Sequence, residues 1–86
     1  MASIVKNLNG TSQKNPSSQY SCWLDFWEQK TKRSAGLCAH CFEEPACVGA
    51  HVKLVNGTLT YIVPLCHKCN KKTDEFTVYK ELVRAE

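Results

Sequence analysis

Two Cys-x-x-Cys pairs, Cys38/Cys41 in CAHC and Cys66/Cys69 in CHKC, flank a single Asn56-Gly57 dipeptide in this chain of 86 residues. Asn-Gly is a strong two-residue hairpin turn. The segment between the pairs is therefore expected to fold back on itself and bring the four thiols together. A two-residue spacer lets both sulfurs of a pair turn toward one ion, and four sulfurs fill the corners of a zinc tetrahedron. With every position taken by protein, such a site is structural and leaves no place for an activated water.

A chain of this length makes one domain, and domains this small often rely on a metal or disulfide staple. The bulky residues fall in two clusters, Trp23, Leu24, Phe26 and Trp27, then Leu59, Tyr61, Ile62, Val63 and Leu65. A metal would give them a fixed frame. Six cysteines also fit a secreted disulfide scaffold, but the N-terminus MASIVKNLNG has no apolar leader segment, which favours zinc over disulfides and a cytoplasmic location. There is no apolar run long enough for a membrane span, and no small-molecule cofactor motif is evident. The net charge of +3 permits nucleic-acid contact without demanding it.

Residues 1–17, rich in Ser, Asn, Gln and Gly, are expected to form a flexible arm, with Ile4, Val5 and Leu8 as its apolar residues able to dock. Residues 18–86 form the single zinc-binding domain. Ser17 or Ser18 is the expected cap of an amphipathic helix of about four turns, on which Tyr20, Trp23, Leu24 and Trp27 recur at helical spacing; Gly36 closes it. In residues 48–55 the side chains of Val48, Ala50, Val52 and Leu54 share one face, with Gly49, His51 and Lys53 on the other. Residues 59–63 form the return strand, and Pro64 ends it. Cys66 and Cys69 open a short helix. In the tail, Phe76, Tyr79, Leu82 and Val83 suit a helix, while Thr77, Val78 and Tyr79 suit a strand.

Knuckle, hairpin, then a second pair at a helix start is the order of parts in a treble-clef zinc finger. The expected fold class is thus a small α+β zinc-bound domain, a treble clef with an N-terminal amphipathic helix. The helix dipole at the second pair offsets part of the charge of four thiolates. Cys22 reads as a small buried hydrophobe. Cys47, six residues after Cys41, could replace a ligand at poorer spacing. His40 and His67, inside the two spacers, are expected to face solvent.

At GAHV (residues 49–52) and YIVPLCHKCN (residues 61–70) the chain resembles the HNH-endonuclease type of treble clef, and small bacterial proteins with a YIVPLC-type block, over residues 37–72. The resemblance implies a general base at His51 and a metal contact at Asn70. It also implies a carboxylate where Ala50 stands and an orienting Asn where Tyr61 stands. Cleavage by that route needs a second, oxygen-rich cation site, for which Glu43 and Glu44 are the nearest acids. The expected function is therefore a non-enzymatic zinc module that binds a protein or nucleic acid. For nucleic acid the expected contacts are Lys68, Lys71 and Lys72, beside a helix N-terminus that favours phosphate. The alternative is a small metal-dependent nuclease using His51. His51 also suits a structural residue beside the knuckle, or a zinc ligand exchanging with a cysteine.

Overall fold

The alternation of residues 48–54 builds the centre of the structure. The computed structural model describes residues 2–8 and 19–85. In chain order its elements are β1 (Ser3–Asn7), α1 (Trp23–Thr31), β2 (Val48–Leu54), β3 (Tyr61–Leu65), α2 (His67–Asn70), β4 (Phe76–Val78) and β5 (Val83–Arg84). The strands form one antiparallel sheet in the order β4-β1-β2-β3-β5.

Strand alternation gives the sheet two unlike faces. One carries Val5, Ala50, Val52, Val63, Leu65, Phe76 and Val78, packed with Cys38, Cys66 and Cys69. On the other, α1 lays Phe26 and Trp27 against Ile62. Gly49 sets how closely the helix can lie: a Cβ there would stand 2.5 Å from the Leu24 nitrogen and the Trp23 carbonyl carbon. Only a residue without a side chain fits. The Trp27 indole, 2.8 Å from the Glu81 carbonyl, donates a hydrogen bond that ties α1 to the segment leading into β5.

The helix is shorter than the sequence suggests. Cys22 is its N-cap, in extended conformation, with its sulfur accepting from the Asp25 amide at 3.5 Å; the Asp25 carboxylate in turn accepts from the Ser21 amide at 3.1 Å. This reciprocal cap starts the helix after Tyr20, whose ring instead packs edge-on against Phe26. Cys22 is thus an exposed cap and not a buried hydrophobe. At the other end Lys32, at φ 58°, makes the left-handed turn and returns its amide to Glu28 O. Gly36, at φ 61°, turns the chain again four residues later. Ser17 and Ser18 lie outside the described residues.

Three further expectations are corrected. The arm expected over residues 1–17 is a strand at Ser3–Asn7: β1 is paired on both edges and Val5 is fully buried. Two β-branched residues in sequence, Ile4 and Val5, outweigh the polar composition around them; residues 9–18 lie outside the described residues. Pro64 does not end β3 but lies inside it, opposite Gly49. Its carbonyl accepts from Ala39 N at 2.9 Å, so its nitrogen points away from β2 and no ladder bond is lost. The β2–β3 pairing stops at Val52 and Tyr61. Beyond it the Gly57 amide bonds to Leu54 O, so the turn centres on Val55 and Asn56, and Leu59 lies in the loop. In the tail, the strand alternative is the one formed.

Candidate metal centre

The first pair sits in a loop closed by its own backbone. Cys38 N donates to Glu44 O (2.8 Å), Phe42 N to Cys38 O (3.2 Å), and Ala39 N to Pro64 O, while Leu37 bridges Pro45. Phe42, after the second cysteine, holds the left-handed φ of 55° that bends the loop. The second pair is set by α2: Cys66 is its N-cap, Asn70 N returns to Cys66 O at 3.0 Å, and Cys69 projects from the single turn.

These two pieces bring four sulfurs together. The Sγ atoms of Cys38, Cys41, Cys66 and Cys69 all lie within 4.8 Å of one another, so the group could hold a metal ion. Cys41 and Cys66 are 3.9 Å apart across the two pairs. Zinc–sulfur bonds of about 2.3 Å imply a tetrahedral edge of about 3.8 Å, whereas a disulfide needs about 2.05 Å. The donor set fits a tetrahedral ion, and all of these cysteines are free thiols.

The charges support the same chemistry. Burial pushes the Cys38 thiol up, but the backbone N–H groups of Cys41, Cys66 and His40 outweigh it and bring it down to about 6. The His40 amide is 3.4 Å from that sulfur. Burial raises Cys66 and Cys69, and for Cys69 the neighbouring sulfurs push the same way. One thiolate forms readily and makes the next ones costly, a conflict that a dication resolves.

Residues for which the sequence signalled no part in this centre hold it in place. Asn7 is buried on β1, and its Nδ2 donates to Cys69 O (3.1 Å) and Lys72 O (3.0 Å), fixing both ends of the turn that carries Cys69. Lys80 donates its Nζ to the carbonyls of Ala35 and Leu37, just before Cys38, and burial lowers its pKa. His40 does not face solvent as expected. Its Nδ1 donates to Thr77 O at 2.6 Å and its ring meets Phe76 edge-on, so the knuckle is fastened to β4. The signal for Asn7 was the Ile4-Val5 pair before it; Lys80 and His40 act through contacts distant in sequence.

The remaining candidates lie elsewhere. Cys47 is exposed and outside the four-sulfur group. His67 is exposed, as are Lys68, Lys71 and Lys72. Because α2 has only four residues, little dipole stands behind those lysines. His51 projects from the helix face, where its ring meets Trp23 edge-on with centroids 4.9 Å apart. Ala50 and Tyr61 belong to the sulfur face. His51 therefore cannot reach the sulfurs as an exchanging ligand, because alternation puts the sheet between them. Burial lowers its pKa.

Beside the knuckle, Phe42 and Tyr79 leave about half of their surface exposed, with ring centroids 5.9 Å apart; Leu37 is similarly exposed, and the Lys80 amine lies 5.5 Å from the Phe42 ring. Among the described residues no helix is long and apolar enough to cross a membrane. Comparison with family models, curated proteins and solved structures gave no match.

Proposed function

We propose that this chain is a structural-zinc module of treble-clef type that works by binding a protein or nucleic acid and catalyses no reaction. The four-sulfur group carries the proposal. Its donors are all thiols, the ligands that zinc takes in closed sites. The order of knuckle, β2–β3 hairpin and α2 supports the treble-clef assignment, and α1 serves as the added amphipathic helix over the hairpin. A bulky residue at positive φ is unfavourable. Phe42 occupies such a position with its ring half exposed beside Tyr79 and the Lys80 amine, which marks this corner as the binding face.

The HNH-type alternative finds less support. A nuclease of that type would need a carboxylate at residue 50, where Ala50 stands on the sulfur face, and the His51 ring meets Trp23 edge-on.

The test has two parts. Elemental analysis of the purified chain should give one zinc per molecule, and a chelator should unfold it. For the surface, binding that weakens steeply with salt identifies a nucleic-acid ligand, and salt-insensitive capture identifies a protein. Plasmid nicking with magnesium or manganese that His51→Ala abolishes would replace this proposal with the nuclease.

A further inference from the structure

A fifth cysteine stands beside the sulfur group. Cys47 is exposed, and its amide donates to Leu65 O at 3.0 Å. That bond, with ordinary peptide dimensions, keeps the Cα atoms of Cys47 and Cys66 within about 7 Å, near the outer limit of the span a cystine bridges. Cys47 and Cys66 also line one cavity of about 590 Å³, together with Cys41, Cys69, His67 and Lys68. Cys22, the other exposed thiol, caps α1 on the opposite face of the sheet and has no such neighbour.

We propose that Cys47 is an oxidation site for peroxides, whose product is a disulfide to Cys66 that removes one sulfur from the metal centre. The proposal rests on the zinc assignment above. In the first step the Cys47 sulfur attacks one oxygen of hydrogen peroxide; the O–O bond breaks, a sulfenic acid forms and one water leaves. The Cys66 sulfur then attacks the Cys47 sulfur. The S–S bond forms as the S–O bond breaks, and the departing hydroxide takes a proton to become the second water. Two thiol sulfurs lose two electrons to one peroxide. A site reduced to three sulfurs binds metal more weakly, so oxidation is coupled to release and to loosening of the knuckle.

The experiment uses the full chain, with zinc measured at the outset. Hydrogen peroxide is added, metal release is followed with a chromogenic chelator, and disulfides are mapped by peptide mass. The expected results are a Cys47–Cys66 disulfide and release that slows at least tenfold in Cys47→Ser, which should keep its full zinc content. Cys22→Ser should release at the original rate. Release from Cys47→Ser at the unaltered rate, or a disulfide joining any other pair, overturns the proposal. A chain purified without zinc refutes the metal assignment instead. The mapped disulfide then decides by itself: a Cys47–Cys66 bond upholds the oxidation site and any other pairing overturns it.

Discussion

On the face of the sheet under α1, Phe26 and Trp27 close over Ile62 with less than 3% of either aromatic exposed. On the other face three of the four clustered sulfurs are buried among Val, Leu and Ala side chains. The helix face is held by aromatic burial and by a backbone approach that Gly49 permits. The sulfur face sets ionisable thiols among buried Val, Leu and Phe side chains, and it is ordered by specific bonds from Asn7, His40 and Lys80. Large apolar side chains can stabilise one side of a small domain without help. The other side has a packed apolar layer of its own, and the zinc proposed above would add to it by binding the four sulfurs.

The strongest challenge to this comparison is removal of the proposed zinc. A structural zinc contributes on the order of 10 kcal/mol, more than a domain of this size holds in reserve. Because both faces share β2 and β3, Cys38→Ser or a chelator should unfold the two together. Circular dichroism and the emission of buried Trp27 report the outcome, and a chelated chain that keeps its buried tryptophan would show the helix face standing alone.

Next in size is Gly49→Ala. The new methyl meets helix backbone that cannot move aside, costing about 3 kcal/mol, read by thermal melting. It should leave zinc affinity of the folded protein nearly unchanged, which separates the faces. Asn7→Ala acts on the opposite side. Two carbonyls of the Cys69 turn lose their partner, for about 2 kcal/mol, and competition with a chelator should show zinc held roughly 30-fold less tightly.

His51 sharpens the contrast through pH. Its folded pKa lies below the ordinary 6.5 because burial disfavours the cation. Its contribution is therefore full above pH 6.5 and is lost as the pH falls through the folded value. His51→Leu should lose less stability than the parent between pH 7 and pH 5.5. Metal loss in acid affects both proteins alike, so the difference in melting temperature isolates the histidine. The smallest effect is a gain: Lys32→Gly relieves a left-handed residue at the helix end and should add about 0.5 kcal/mol, or about 3 °C.

Much of the metal centre could be read from spacing alone. Cys-x-x-Cys is a local device, set by a few backbone angles, and the hairpin that unites the two pairs follows from alternation on either side of a turn. The tail shows the limit. Phe76, Tyr79, Leu82 and Val83 satisfy a helical pattern and Thr77, Val78 and Tyr79 an extended one, and the strand prevails because β1 and β3 offer unpaired edges to fill. The start of the chain misled for a related reason. Composition averaged over 17 residues hid five that pair between two other strands, with Val5 and Asn7 buried among them.

The sequence by itself determined which sulfurs belong together, which residues of β2 face inward, and that the aromatics around Trp23 and Trp27 belong to a core, since each depends on neighbours a few positions away. Only the tertiary structure decided that β1 is an interior strand between β4 and β2, that Asn7, His40 and Lys80 brace the four-sulfur group, and that His51 lies on the far side from the sulfurs. Those outcomes depend on contacts between residues tens of positions apart, where pairing with a waiting edge or carbonyl outweighs any local preference.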